Sequence, residues 1–378
     1  MSSKDVTKVL VIHPWLPEYR VAFFERLIEE GSKAGFEIRI YAPEPERKLV
    51  SRRDSLSPNW LQSVKKFELS PGGRSLIYKR VLISLLKSKP DIVVVEHAAK
   101  NLETYLIFLL RHLFRFNVII WGHGKTYASK DSGVGRKMKI LLAQHADHFL
   151  SYTEGGATYL KSFGIKDGKV TVLNNTFDTL PIAASIKITT EAELIEFAEV
   201  NQVSAGKTGL FIGGLDRDKD LDFLLEVSEQ IHRIDAEFKL LVIGAGSGAA
   251  QVLRAESQGF VVYLDRLSNT EKTIPLLFAS FFMIPRGIGL VAVDALLSGI
   301  PILSIRDNLH GPEHEYLIEG KSVHYASSKD SYLKLCLEFL GHSTSLMERQ
   351  NLNIEELKEL SIEKMVDNFI SGLSKTQK

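Results

Sequence analysis

Twelve short runs rich in Val, Ile and Leu, each set apart by stretches of helical spacing, constrain this chain more than any other feature. Apolar runs that recur in this way read as parallel strands covered on both faces by helices. The first six are KVLVIH (8–13), FEIRIYA (36–42), DIVVVE (91–96), NVIIW (117–121), DHFLSY (147–152) and KVTVL (169–173). The second six are TGLFIG (208–213), FKLLVIG (238–244), GFVVYL (259–264), FFMI (281–284), PILSI (301–305) and SVHYA (322–326). Between the sets, residues 180–207 break the rhythm with turn residues and one short acidic helix candidate. The pattern predicts a first α/β domain over 1–179, a linker over 180–207 and a second α/β domain over 208–350. Residues 351–378 follow with an amphipathic helix, whose packing side carries Leu357, Leu360, Ile362, Met365, Val366 and Ile370.

A length of 378 residues suits two domains of ordinary size. With 47 basic against 46 acidic side chains there is no net field to attract a polyanion, and no nucleic-acid partner is expected. The lone cysteine, Cys336, cannot close an internal disulfide, and the polar start MSSKDVTK lacks the apolar core of a secretory signal. Both observations point to a cytoplasmic protein. No uninterrupted apolar stretch approaches the ~20 residues of a membrane span, so any membrane contact is expected to be peripheral.

Doubly wound domains carry ligands at the carboxyl ends of their strands. His13, Glu96, His123, Gly213, Gly244 and Pro285 all fall at such ends. In FIGGLDRDKDLDFLLEV (211–227), Gly213 and Gly214 permit close backbone approach, while Arg217 and Lys219 project where a helix begins and an anion is favoured. The two cations serve either a diphosphate or the neighbouring Asp216, Asp218 and Asp220. The turn GAGSG (244–248), with Asp265 after the next strand, lacks the third glycine of a dinucleotide fingerprint and does not predict NAD. In PRGIGLVAVDALLSGIP (285–301), a helix is expected from about Leu290 to Ser298, with Asp294 alone among apolar neighbours. A buried carboxylate needs a partner, either a ligand hydroxyl or an internal group such as Arg306 or a backbone amide. HGPEHEYL (310–317) sets Pro312, Glu313 and Glu315 at a helix start, where acids also act as simple dipole caps. Arg20 serves a cleft or a surface carboxylate. His123, between two glycines, either faces substrate or is structural. Lys125 and GRKMK (135–139) form a basic cluster that suits phosphate, an acidic membrane surface or plain solvent. His145 and His148, three apart, read as surface or core positions and not as metal ligands.

Taken as an ordered set, KVLVIHPWLPEYRVAFFERL, WGHGK, HFLSYTEGGATYL, VLNNTFD, FIGGLDRDKDLDFLLE, IPRGIGLVAVDALLSGIPIL and HGPEHEYL resemble the retaining glycosyltransferases of family 4. The resemblance spans nearly the whole chain. It implies the GT-B fold, two Rossmann-like domains facing across a cleft, with the final helix returning to the first domain. It implies further that the second domain binds a UDP- or GDP-linked sugar through Gly213, Gly214, Gly244, Asp265, Arg286, Gly287, Ile288, Gly289, Leu290, Asp294 and Glu313. Lys219 takes the position of the family's phosphate-binding lysine. The family's arginine, five residues earlier, falls on Gly214, leaving Arg217 as its substitute. The family's two glutamates fall on Arg286 and Asp294; a branch with a Pro-Gly-rich turn also lacks the first of them, and PRGIGL with HGPEHEYL is similar to that branch. His123 lies near the reacting centre, and Arg20, Gly124 and Lys125 serve the acceptor.

The implied reaction moves the sugar to a glycan or lipid-linked glycan hydroxyl with retention of configuration, in cell-surface polysaccharide or glycolipid synthesis. Arg217, Lys219 and His123 carry the chemistry, and neither a cofactor nor a metal is called for. Two other readings compete. One is a nucleotide-sugar epimerase of the same fold, using Glu96 and His97. The other is a catalytically silent nucleotide-sugar-binding subunit, suggested by the departures at 214 and 286.

Overall fold

The computed structural model describes residues 6–70, 75–127, 133–306, 309–342, 344–352 and 354–377. Two compact units divide the chain. Unit 1 takes residues 1–46, 54–178 and 359–378, and unit 2 takes 47–53 and 179–358.

Unit 1 is built on a parallel sheet of β1 (Thr7–Ile12), β2 (Phe36–Ala42), β3 (Leu61–Ser63), β6 (Ile92–Glu96), β7 (Asn117–Gly122), β8 (His148–Ser151) and β9 (Val170–Val172), after a small antiparallel pair, β4 (Lys66–Leu69) and β5 (Leu76–Lys79), is set aside. Its order is β3-β2-β1-β6-β7-β8-β9, so the winding reverses between β1 and β6. Successive residues of β1 feed opposite cores: Val9 and Val11 join one, Leu10 and Ile12 the other. That two-sided burial is why the strands read as unbroken apolar runs. The pieces β3, β4 and β5, with sequences LQS, KFEL and LIYK, are too short and too polar to show such a pattern.

Unit 2 repeats the plan with β10 (Thr208–Ile212), β11 (Lys239–Ile243), β12 (Val261–Tyr263), β13 (Phe281–Met283), β14 (Ile302–Ile305) and β15 (Val323–Ala326). The order is β12-β11-β10-β13-β14-β15, with the reversal between β10 and β13. Leu210, Phe211, Leu240, Leu241, Phe281, Phe282, Ile302 and Leu303 are all buried along it. The predicted helix after β13 runs Val291–Ser298 and ends on Gly299, whose left-handed backbone closes it.

Two boundaries differ from the expectation. Residues 180–207, expected as a linker, form the helices Leu180–Ile188 and Glu191–Asn201 within unit 2. The first buries Ile182, Ala183 and Ile186, and a Thr190–Glu193 capping box starts the second. The terminal segment is also broken: a 3₁₀ turn, Ile354–Leu360, precedes the helix Ile362–Ser374, which Ser361 caps. This helix is part of unit 1, where Phe369 meets Phe23 and Trp121 edge-on at ring separations of 5.7 and 5.3 Å.

Two buried histidines of unit 1 make its stability sensitive to acid. Burial, with Lys375 and Lys169 nearby, holds His148 at a pKa of about 4; burial and Arg20 hold His13 at about 3. Below the ordinary value of 6.5 the unfolded chain takes up these protons while the folded chain does not, so stability falls as pH drops from about 6.5 towards 4. Shifts of this size correspond to roughly 3 kcal/mol for His148 and roughly 5 kcal/mol for His13. Urea midpoints should be flat above pH 7 and fall below 6.5, less steeply in a His148→Asn variant; an equal slope in that variant would remove His148 from the account.

Candidate functional site

The switch point of the unit 2 sheet gathers most of the expected donor residues. Gly213 continues β10 and Gly244 continues β11, in such close contact that a β-carbon on Gly244 would stand 1.9 Å from the Gly213 carbonyl oxygen. Tyr263 donates to the Gly244 carbonyl at 2.9 Å and reaches Asp265 Oδ1 at 3.2 Å, fixing the end of β12 against the same loop. On the other side of the switch, Lys219 donates to the Gly287 carbonyl at 2.7 Å. Gly287 has φ +76°, and a side chain there would begin 2.7 Å from the lysine Nζ, so both backbone and space require glycine. Burial of the half-buried Lys219 lowers its pKa from the ordinary lysine value, and nearby Arg52 adds to that. Of the acids weighed as its partners, Asp216 pairs with Arg52 at 2.5 Å and Asp220 with Lys329 at 2.7 Å, while the charges of Asp218 and Asp216 oppose the fall in the lysine's pKa.

The 285–289 turn is tied in turn to the loop after β14. Gly311 N donates to the Ile288 carbonyl at 2.5 Å, and Ile288 N donates to His310 Nδ1 at 3.4 Å. Pro312 occupies the first turn of the 3₁₀ helix Pro312–Tyr316, and Glu313 is buried with its carboxylate close to Gly311 and Gly289. Arg286 and Gly289 are half-buried on the turn, and Leu290 sits at the helix cap. For Arg217 the backbone lies in the 3₁₀ turn Arg217–Lys219; its side chain is outside the described residues.

Asp294 receives an internal partner that the sequence did not reveal. It is 3% exposed, and Lys272 Nζ lies 2.6 Å from its Oδ1. Arg306, the internal partner considered earlier, instead pairs with Glu319 near the surface. Burial pushes the Asp294 carboxyl above its ordinary pKa, and Lys272 pulls it back. The sole trace of this in the sequence is one lysine placed just before the apolar TIPLLF helix.

In unit 1 a cavity of about 480 Å³ opens at the ends of β1, β6 and β7, beside that sheet's own switch point. His13, Glu96, His97, Trp121, His123, Lys125, Lys139 and Tyr152 supply its principal side chains. His123 presents its ring to the cavity, 4.6 Å from that of Tyr152. The concave wall around it, together with Lys139 and Arg20, lowers its pKa to about 4, so it is neutral near pH 7. Lys125 lies over the Tyr127 ring at 4.4 Å. Gly124, at φ +75°, lets the loop rest against Gly156. Glu96 accepts from Asn101 at 2.8 Å and stands 3.9 Å from Lys79, which is itself bound to buried Glu103 at 2.9 Å.

Arg20 does not fit its expected acceptor contact. It is fully buried, bonded to the Asn175 side chain and the Thr176 carbonyl, and packed against Trp121 and Tyr152. Its guanidinium stands behind the cavity wall and acts on His13 and His123 through its charge. Sequence reasoning also missed Arg52, Lys272 and the Lys79–Glu103 pair, each of which depends on contacts distant in the chain. His145 and His148 part company: the first is exposed, and the second bonds Thr171 in the core at 2.8 Å.

With this geometry the comparisons agree. Residues 21–179 match the family model Glycosyltransferase Family 4, and residues 206–331 match Glycosyl transferases group 1. The first stretch is thus similar to one glycosyltransferase family and the second to another. Among solved structures it is similar to Anabaena HepE in complex with UDP, at 12% identity and a TM-score of 0.65, covering 97% of this chain and 99% of that one. Sucrose-phosphate synthase from Thermosynechococcus elongatus gives 12% and 0.65, covering 97% and 98%. UDP-GlcNAc 2-epimerase from Methanocaldococcus jannaschii gives 15% and 0.58, covering 97% and 99%. These likenesses establish the GT-B fold. No curated protein is matched by sequence.

The Lys272–Asp294 pair can be tested alone. Lys272→Ala should cost about 3 to 5 kcal/mol in urea denaturation by stranding a buried carboxylate. Lys272→Met combined with Asp294→Leu should recover most of that. A single variant within about 1 kcal/mol of the parent would show that the ion pair is not holding the helix.

Proposed function

We propose that this protein transfers a sugar from a nucleotide-sugar donor, held at the strand ends of unit 2, to a hydroxyl of a glycan acceptor. The observation that carries the reading is Lys219, an ammonium aimed by the Gly287 carbonyl at the switch point between two glycine turns. Such a point is where doubly wound sheets bind ligands, and the glycines let phosphate oxygens approach backbone N–H groups. The solved HepE complexes, with UDP and with UDP-glucose, support the donor class.

In the proposed step the C1–O bond of the donor breaks and its electron pair leaves on the diphosphate. Lys219 and Arg217 stabilise that charge, the main source of acceleration. The acceptor hydroxyl attacks from the face the diphosphate leaves, retaining configuration, and its proton passes to the departing phosphate oxygen. Glu313 and Asp265 border the donor, while Asp294, braced by Lys272, takes the ribose. The unit 1 cavity receives the acceptor: neutral His123 accepts or donates one hydrogen bond, Tyr152 offers a face to a sugar ring, and Lys125 adds charge.

Thermal-shift measurements with UDP, GDP and their sugars test the donor assignment. A ligand at 100 times its dissociation constant adds ~2.7 kcal/mol of stability. At least one should raise Tm, and Lys219→Ala should weaken its binding about tenfold, as expected for one lost charge-assisted bond. Glu96 and His97 in the cavity wall favour the epimerase alternative. Conversion of UDP-GlcNAc to its 2-epimer with no acceptor present, followed by NMR, would establish that reading instead.

A lipid-linked acceptor at an acidic membrane face is the finer proposal, supported by one surface of unit 1. On the helix Leu102–Phe114, Leu106, Leu109, Leu113 and Phe114 are exposed, Leu109 and Leu113 at 73% each. Arg115, Arg136 and Lys137 are exposed beside them, and among the described residues of 102–115 and 133–145 the sole acid, Glu103, is buried. No described helix is long and apolar enough to cross a membrane. An apolar stripe with basic flanks suits interfacial binding to anionic lipid. Flotation with phosphatidylglycerol vesicles should recover the protein, and Leu109→Asp with Leu113→Asp should abolish recovery; equal flotation on neutral phosphatidylcholine would remove the charge argument.

A further inference from the structure

Gly214 leaves the loop after β10 without a side chain, and the space beside it is filled by a residue from far earlier in the chain. Residues 47–53 fall in sequence between elements of unit 1, yet they belong to unit 2. At the end of this segment the Arg52 guanidinium lies so close to Gly214 that a β-carbon there would stand 2.8 Å from Nε and 3.0 Å from Cζ. Nε and Nη2 both rest 2.5 Å from Asp216 Oδ2. A guanidinium carries five N–H donors, and among the described residues the remaining ones have no partner. Arg53, next in the chain, is bonded to Asp265 at the end of β12 and ties the same segment down.

We propose that Arg52 is a further cation of the diphosphate site beside Lys219 and Arg217, supplied by this segment in the space a side chain at position 214 would occupy. The proposal rests on the donor reading above and adds to it a residue that no motif in the second half of the chain contains. Three features support it. The side chain is 26% exposed, so one edge is open to a ligand while Asp216 holds the other. It is near enough to Lys219 to disfavour that lysine's charge, which places two cations around one glycine turn. A planar fork also engages two phosphate oxygens at once, where an ammonium offers a point charge. Two cations held by the fold at a site where glycines expose backbone N–H groups suit a diphosphate better than a neutral ligand.

Isothermal titration of the whole chain with UDP and with GDP tests this, using Arg52→Ala, Arg53→Ala, and Arg52→Ala combined with Gly214→Arg. Arg52→Ala should weaken binding of whichever diphosphate the parent takes by tenfold or more. Arg53→Ala should change it less than threefold, and the double variant should restore much of the loss. Equal losses in the two single variants would mean that docking of the segment matters and the Arg52 charge does not, which overturns the proposal. Arg52→Ala binding within twofold of the parent overturns it as well, while leaving the donor site intact. A parent chain that binds neither diphosphate sinks the donor reading and this one together.

Discussion

Both sheets are buried on both faces, and that constraint decides where anything polar can go. A strand such as Val9–Ile12 spends successive side chains on two different cores, so it has no face left for chemistry. Function is driven to the carboxyl ends, and within those to the one place per sheet where neighbouring strands send their connections in opposite directions. In unit 1 that place, between β1 and β6, borders the cavity with His13 and Glu96. In unit 2, between β10 and β13, it is spanned by the bond from Lys219 to the Gly287 carbonyl.

The same constraint explains what could be read from the chain. All twelve long apolar runs are strands, because two-sided burial writes itself into composition without any help from distant contacts. The glycine turns were legible for a related reason: Gly244 and Gly287 hold conformations or approaches that other residues do not tolerate. Strands β3 to β5 were not legible, being three or four residues long, β3 and β4 without a buried residue and β5 with Lys79 as one of its two buried positions. Pairings between residues far apart in the chain were hidden altogether. Asp294 was visibly anomalous, yet nothing near it in sequence named Lys272 as its partner, and nothing in SRRDS announced Arg52 as a neighbour of Gly214.

Buried charge recurs, and in each instance the fold meets its desolvation differently. Arg349 is satisfied by the backbone carbonyls of Leu276, Ala279 and Thr344, so it functions as a clamp on unit 2. Arg20 has a side-chain amide, a carbonyl and four aromatic rings around it. Lys79 and Glu103 neutralise one another within 2.9 Å, and their pair sits behind Glu96 on the cavity wall. The costs of removing ions from water are large enough that a single missing partner would be felt across the unit. Burial chiefly, with the charges of Arg20 and Lys79 adding, keeps His13 neutral in the wall of the unit 1 cavity.

For the proposed donor site this treatment of charge has a specific consequence. A lysine in open water would be screened, and its attraction for a diphosphate would be largely cancelled by the water it must shed. Lys219 is half-buried, burial lowers its pKa against the opposing charges of Asp218 and Asp216, and the Gly287 carbonyl fixes its direction. The ammonium is therefore poised to interact most strongly with the ligand state of greatest negative charge. In the proposed glycosyl transfer that state is the departing diphosphate and not the intact donor, so a half-buried and directed ammonium would favour bond breaking.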